Sequence, residues 1–184
     1  MRERRNVSSA TLAGSLLLAH PAMRDPNFRR CVVLMSTYGA DGAMGVVLNR
    51  PLQRRLGEVS GEFALGPLAG VPLFVGGPVQ KDQLVLAAWQ VRHDGFRLYF
   101  GIEPDKAIHL LGDDGTQVRG FFGYSGWSAG QLENEMKSGT WVVADVPEDL
   151  LRQTQDESMW RTVLGREGAG WRLLAGEPDD PELN

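Results

Sequence analysis

The sequence has little cysteine and little histidine, and these shortages exclude several kinds of site. Cys31 is the single cysteine among 184 residues, so an internal disulfide cannot form. The three histidines, His20, His93 and His109, stand far apart, without the close spacing of a zinc site. The aspartates of the turn at residues 113–115 lack the alternating oxygen ligands of a calcium loop. We therefore expect no metal ion and no bound cofactor.

The chain also lacks an excess of positive charge and a long apolar run. Its formal net charge is -4 and its pI about 5.4, which gives no general attraction to phosphate backbones or anionic lipids. No apolar stretch approaches the ~18 residues of a membrane span, so no membrane partner is expected. Three basic pairs could form only a local patch, and solvated surface is the better interpretation of each, so direct DNA binding has little physical support. The pairs are Arg4–Arg5, Arg29–Arg30 and Arg54–Arg55.

The two ends of the chain differ in composition from the rest. The short apolar run at residues 16–19 follows basic residues and imitates a secretory signal, but the run is too short and His20–Pro21 interrupts it. The last eight residues hold four acidic side chains, two prolines and no basic residue, a composition typical of disorder. We expect a soluble cytoplasmic protein with a flexible arm at 1–11, one domain at 12–175 and an acidic, disordered tail at 176–184.

Short apolar runs bounded by glycine and proline predict seven or eight strands, mostly in hairpin order, with about four helices. This order indicates an α+β fold and not a wound parallel sheet. The predicted strands are 14–19, 31–37, 43–49, 71–75, 83–89, 96–101, 118–124 and 141–145, with 71–75 antiparallel to 83–89. The predicted helices are 54–63, 105–111 with Ile108 and Leu111 facing inward, one that begins at Ser128, and 156–165, besides a single turn after Pro147.

The stretch at residues 121–135 runs from an aromatic strand through glycines into a short helix. Ser128 and Gln131 match the capping-box spacing, in which the hydroxyl and the side-chain amide each bond the other residue's backbone amide hydrogen. Gly139 offers the left-handed position that ends such a helix. Trp127 sits at the glycine-flanked corner, and we give equal weight to a binding role and to a core role for its ring.

Patterns that would indicate catalysis fail at this same corner. Gly123-Tyr124-Ser125-Gly126 resembles a nucleophile elbow, but position 127 is tryptophan where the elbow needs a small residue. All three histidines precede Ser125, whereas an elbow hydrolase needs a histidine after its nucleophile. The glycines also fit neither common phosphate-loop pattern. We expect no catalytic residues, and Ser125 and Cys31 are interpreted as a turn serine and a buried hydrophobe.

Five separate motifs match one known family in order and spacing. They are Gly14 to Phe28, Gly42 to Pro51, Gly76-Gly77-Pro78-Val79, Gly123-Tyr124 through Gly126-Trp127 to Gly130-Gln131-Leu132-Glu133, and Trp141 with Met159-Trp160. With these motifs the chain resembles the YqgE/AlgH family of bacterial proteins over residues of about 12 to 175.

The resemblance implies a branched or barrel-like sheet flanked by helices in a cytoplasmic bacterial protein. It also brings the label of transcriptional regulator, without an established reaction or catalytic residues. Many members carry a histidine at the end of the strand after Gly-Gly-Pro, where this chain has Ala87, so an acid–base role at that position is not implied.

The motif residues at strand ends and corners form our candidate binding surface, because binding groups often lie on loops held by a rigid scaffold. The candidates are Asp25, Phe28, Asn49, Arg50, Gly77, Tyr124, Trp127 and Gln131. The favoured interpretation is a non-enzymatic regulatory or protein-interaction role with a protein partner or small ligand. The alternative is a small-molecule-binding protein or enzyme with its site at the corner from Gly123 to Gln131, lined by Asp25, Asn49 and Gln131.

Overall fold

The computed structural model describes residues 12–92, 95–150 and 155–176, apart from the side chains of residues 91, 92, 95 and 96. The predicted arm at residues 1–11 lies outside this part of the chain, as does the predicted tail beyond Gly176.

Nine strands form one sheet in the described residues. They are β1 Leu16–Ala19, β2 Val32–Gly39, β3 Gly42–Val47, β4 Pro51–Arg55, β5 Pro72–Val75, β6 Val79–Arg92, β7 Gly95–Phe100, β8 Thr116–Ser128 and β9 Trp141–Ala144. The helices are α1 Leu56–Val59, a 3₁₀ turn at Gly61–Phe63, α2 Pro104–Leu111, α3 Gln131–Lys137, α4 Glu157–Arg166 and α5 Ala169–Gly176.

The sheet is branched at β8, its central strand. The main path runs β4-β5-β8-β3-β2-β1-β9, while β6 pairs with β8 and with β7. One pair, β5 with β8, is parallel, and the other pairs are antiparallel. The predicted α+β fold with a single domain and a mainly antiparallel, branched sheet is confirmed.

Glycine allows β8 to change partners halfway along its length. Residues 120–122 of β8 pair with β5 and β6, whereas Ser125 to Ser128 pair with β3. Gly123 lies between the two halves with φ +70°, and a Cβ there would lie 2.5 Å from the carbonyl oxygen of Gly77. Only glycine fits such a close backbone contact without strain.

Three buried clusters hold the sheet and helices together. One packs α4 and α5 on the sheet through Trp89, Phe121 and Trp160. A second includes Leu17, Met35, Trp127 and Trp141 on the opposite side of β1 and β2, and a third lies beneath α2.

One predicted helix is confirmed in part, and two other predictions are wrong. Residues 54 and 55 of the helix predicted at 54–63 belong to β4, which pairs with β5 at Pro51 and Arg55, whereas α1 and the 3₁₀ turn make up most of the rest. The strand predicted at 71–75 pairs with β4 and β8 instead of with β6, because β8 lies between β5 and β6. In α2 the buried residues are Ala107 and Leu110, whereas Ile108 and Leu111, which were predicted to face inward, are 38% and 37% exposed.

The helix at the aromatic corner also differs from its prediction. β8 extends to Ser128, and α3 begins at Gln131 after Gly130, which has φ +75°. Half of the capping box is present, since the Ser128 amide donates to Gln131 Oε1 at 3.0 Å. The Ser128 hydroxyl lies 3.2 Å from the same oxygen and does not cap the helix. Gly139 has φ +72° just after the helix, as predicted.

Candidate functional site

The ring of Trp127 lies in an aromatic cluster and is only 6% exposed. Its centroid is 6.2 Å from that of Phe28 in a stacked arrangement, and 5.9 Å from that of Trp141 in an edge-on arrangement. Phe28 also meets Trp141 edge-on at 5.6 Å. Phe28 is thus the one predicted surface residue whose ring meets that of Trp127, and the two rings pack together inside the molecule.

One carboxylate joins the polar atoms of this region. Glu135 Oε2 accepts hydrogen bonds from the indole nitrogens of Trp127 at 2.9 Å and Trp141 at 2.7 Å. Glu135 Oε1 accepts from Gln131 Nε2 at 3.0 Å. We call Phe28, Trp127, Gln131, Glu135 and Trp141 the Trp127 cluster. Both indole N–H groups of the cluster already donate to Glu135. The cluster is therefore better suited to stabilise the fold than to bind a ligand.

Asn49, another candidate, is 1% exposed and lies under the surface. Its Oδ1 accepts from the Val32 amide at 2.9 Å, and its Nδ2 donates to the carbonyl oxygens of Arg30 at 2.9 Å and Asp156 at 3.3 Å. Asn49 thus ties the start of β2 and the beginning of α4 to the end of β3. Both polar atoms of this side chain are therefore bonded within the protein.

A groove lies where three of the motifs meet, and we call it the motif groove. Its cavity of about 460 Å³ lies between the loop after Asp25, the end of β3 with β4, and the corner from β5 to β6. The lining residues are Pro26, Asn27, Val47, Arg50, Leu52, Val75, Gly77, Lys81 and Phe122.

Local backbone geometry places these three segments side by side. The Asp25 carboxylate accepts from the Asn27 amide at 2.8 Å, and its carbonyl accepts from the Phe28 and Arg29 amides, which closes a tight turn. Gly77 has φ +154°, and a Cβ there would lie 2.3 Å from the Tyr124 carbonyl group. The corner can therefore press against β8 only with glycine at position 77.

The lining of the motif groove combines cations with exposed apolar side chains. Arg50 is half-buried and donates from its guanidinium to the carbonyl oxygen of Arg29, while Lys81 is exposed. Neither cation forms a salt bridge with any carboxylate in the described part of the chain. Leu52 and Val75 remain 36% and 37% exposed. Such a surface can attract a negative charge and hold an apolar body beside it.

A second cavity of about 590 Å³ lies at the corner of β8, beside the hairpin of β2 and β3. Tyr124, Gly126 and Trp127 line it from β8. Tyr38 lies on its hairpin side, where a hydrogen bond to Glu133 raises the pKa of the tyrosine hydroxyl. This cavity is the place where the alternative corner site would lie.

The candidate residues thus divide among several places. Phe28, Trp127 and Gln131 meet in the Trp127 cluster, Arg50 and Gly77 meet in the motif groove, and Tyr124 lines the corner cavity. Asn49 lies in the core and Asp25 shapes the loop beside the groove. Asp25, Asn49 and Gln131, the polar residues proposed to line a corner site, make no hydrogen bond to one another.

Sequence reasoning missed the side chains that complete the motif groove, including Lys81 and Leu52. Lys81 follows the Gly-Gly-Pro corner closely and Leu52 follows Pro51, so their nearness to the motifs was the available signal.

Ser125 and Cys31 line neither the motif groove nor the corner cavity. Ser125 lies within β8, opposite Gly45 of β3, so its interpretation as a turn serine is wrong; it is fully buried, and its Oγ donates to the Gly76 carbonyl oxygen at 3.1 Å. Cys31 is fully buried, and burial raises the pKa of its thiol, so a reactive thiolate does not form at neutral pH.

The described residues, 12–92, 95–150 and 155–176, contain no group of three His, Cys, Asp or Glu side chains placed to hold a metal ion. Among their helices, none combines the length and hydropathy needed to pass through a bilayer.

Comparisons with known proteins agree on one family. The AlgH-like family model matches residues 16–172. A UPF0301 protein of Streptomyces coelicolor is 36% identical over 95% of this chain and 96% of its own length. A UPF0301 protein of Chlorobium limicola is 33% identical over 93% and 95%.

Two solved structures share the fold. A crystal structure of a Corynebacterium diphtheriae protein superposes with a TM-score of 0.69 at 25% identity, covering 95% of each chain. The solution structure of the AlgH protein from Pseudomonas aeruginosa gives a TM-score of 0.65 at 26% identity, covering 96% of this chain and 100% of that one.

Proposed function

This chain belongs to the AlgH-like family, and we propose that it is a non-enzymatic binding protein with a regulatory role. The motif groove is its binding surface, and a ligand or partner segment docks there. This proposal narrows the predicted surface from eight residues to the part around Arg50 and Gly77.

The single observation that carries the proposal is that three motif segments meet at one cavity. The loop after Asp25, the β3–β4 corner and the β5–β6 corner are distant in sequence, yet all three line one cavity. The same cavity is lined by two cations that form no salt bridge to a described residue and by two apolar side chains open to solvent. Soluble proteins keep such combinations of charge and exposed apolar surface mainly where something binds.

The chemistry of the lining supports binding over catalysis. The nine lining residues include no serine, cysteine, histidine, aspartate or glutamate, the residue types that most often act as nucleophile or general base. Arg50 and Lys81 can orient and neutralise an anion.

A second candidate is the small-molecule site at the corner from Gly123 to Gln131. The cavity of about 590 Å³ beside Tyr124 favours it. Against it, the polar atoms of Trp127 and Gln131 already bond Glu135 and Ser128. A ligand there would have to bind through the ring of Tyr124 and the hairpin backbone, which offers less specificity than the motif groove.

Direct DNA binding is the weakest version of a regulatory role. Arg30 and Arg54, one from each basic pair in the described residues, lie 3.6 Å and 4.0 Å from Glu157 and Glu58, which reduces their attraction for phosphate. DNA binding predicts an affinity that falls steeply with salt. Absence of binding above background at low salt would reject it.

A fragment screen monitored by ¹H–¹⁵N NMR tests the proposal. The library should contain anionic, cationic and neutral fragments in equal numbers, and the full chain is used throughout. We expect the largest shift changes at Asn27, Arg50, Val75 and Lys81. Hits that map instead to Tyr124, Gly126 and the β2–β3 hairpin would replace the motif groove with the corner site, and a library without hits at either place would reject both.

A further inference from the structure

Resting on the proposed function, we infer that the motif groove binds a small organic anion, with a carboxylate or phosphate head and an apolar body. The head lies between Arg50 and Lys81, and the body lies against Leu52, Val75 and Phe122.

The charge of the lining selects the head. Arg50 and Lys81 are the ionisable residues of the lining, and both are cationic. Because neither is neutralised by a salt bridge within the described residues, an incoming anion displaces water without breaking an ion pair. The guanidinium of Arg50 is anchored through one bond to the Arg29 carbonyl, so its planar group is held in place for a carboxylate or phosphate.

The apolar wall selects the body. Leu52 and Val75 each expose more than a third of their surface, and Phe122 beside them is half-buried. Covering this surface removes apolar area from water and favours binding. A cavity of about 460 Å³ matches the size range of pockets for single small ligands.

Backbone pairing favours a compact ligand over an extended peptide. The Val75 amide donates to the Arg50 carbonyl at 2.9 Å, and the Val47 amide donates to the Gly76 carbonyl at 2.9 Å. Val75 also pairs in register with Phe122 of β8. β5 has a partner strand on each side, and β8 pairs with both β5 and β6, so these two strands of the groove already use backbone groups that a partner strand would need for β-augmentation.

A matched ligand series tests the class. Hexanoate, hexyl phosphate, hexylammonium and hexanol share one apolar body, and a short acidic peptide provides the macromolecular comparison. Affinities come from NMR titration of the wild-type chain at low and at high salt. We expect hexanoate or hexyl phosphate, or both, to bind at Arg50 and Lys81 at least tenfold more tightly than hexylammonium and hexanol. Added salt should weaken the anions alone.

Variants locate the contact. Lys81→Gln should weaken the anions about threefold, as expected for an exposed charge pair. Arg50→Gln should weaken them about tenfold, since charge-assisted hydrogen bonds contribute more. Lys137→Gln, at an exposed residue at the end of α3, is the control and should change nothing. Thermal melting of Arg50→Gln shows whether the variant stays folded, and Lys81→Gln keeps the test decisive if it does not.

The outcomes separate this inference from the proposed function. Hexanol or hexylammonium binding as tightly as the anions in the motif groove would overturn the anion assignment and leave the binding role intact. Binding of the acidic peptide without either hexyl anion would overturn the small-ligand class. If every ligand maps to the corner of β8, or if Lys137→Gln has the same effect as Lys81→Gln, both the inference and the groove fail.

Discussion

The Trp127 cluster and the motif groove are both built from family motifs, yet their side chains are in opposite states. In the Trp127 cluster the rings cover one another, and Glu135 accepts both indole hydrogens. In the motif groove, Arg50 and Lys81 form no salt bridge in the described chain, and Leu52 stays open to solvent. The difference teaches that a residue can belong to a motif because it closes the structure or because it leaves a surface open.

The comparison also explains why tryptophan was ambiguous as a marker of a site. A large ring at a glycine-flanked corner suits a binding pocket, but the same ring suits a core when a neighbouring carboxylate bonds its nitrogen. The structure provides that carboxylate from α3, so the stability of the protein and its binding should respond to different substitutions.

The largest expected effect is on the cluster. Trp127→Ala should lower the free energy of unfolding by about 3–5 kcal/mol, because it empties a well-packed site. Chemical denaturation measures this loss, and Trp160→Ala, at a residue of α4 that is 1% exposed, provides the core reference. A Trp127→Ala protein that melts like the wild type would show that the ring carries no packing role, and the comparison would fail.

Replacing Asn49 should cause a somewhat smaller loss in the free energy of unfolding. This residue adjoins Arg50 of the motif groove, but its side chain bonds other parts of the protein. Asn49→Ala leaves the Val32 amide and two carbonyl oxygens without their partner, and we expect a loss of about 2–4 kcal/mol. Asn27→Ala is the matched control, since that asparagine is exposed in the groove. Equal stability of the two variants would place Asn49 with the surface residues instead.

Next in size is the carboxylate of the cluster. Glu135→Ala removes the acceptor shared by Trp127 and Trp141. Because Glu135 is half-buried, water can replace some of the lost hydrogen bonds. We expect a loss of about 1–2 kcal/mol in the free energy of unfolding. Glu135→Gln keeps one acceptor oxygen and should lose less, whereas a larger loss for glutamine than for alanine would contradict the proposed bonding.

The smallest effects on stability should come from the motif groove itself. Lys81→Gln and Leu52→Ser should each change the free energy of unfolding by no more than about 0.5 kcal/mol, because both side chains are open to solvent. Parallel denaturation and NMR titration measure stability and ligand binding on the same samples. A clear loss of stability without a change in ligand binding would show that these residues stabilise the fold and do not contact the ligand.

Much of the fold was predictable because its signals are local. The hairpin of β2 and β3, the strand at Trp141 and the buried stripe of α4 with Met159 and Trp160 were all predicted from runs and periodicity. β4 was missed because its residues, which include Arg54 and Arg55, are mostly exposed and carry no apolar alternation. The pairing of β5 was wrong because adjacent strands in sequence do not pair when a later strand, β8, lies between them.

The candidate site was predictable only in part, for the same reason. Arg50 and Gly77 were found through their motifs, but the nearness of Lys81 to the Gly-Gly-Pro motif does not reveal that it lines the same cavity as Arg50. Similarly, no pattern around Asn49 reveals that its partners lie on β2 and at the start of α4.

By itself the sequence determined the family, the α+β class and the left-handed glycine at position 139, because these depend on short-range patterns and on motif order. Tertiary structure alone decided which polar groups are satisfied inside the protein and which remain available. Glu135 reaches two indoles, and Arg50 and Lys81 share one groove, only after β8 has brought β3, β5 and β6 together. Hydrogen bonding and exposure are properties of contacts between distant segments, and those contacts exist only in the folded chain.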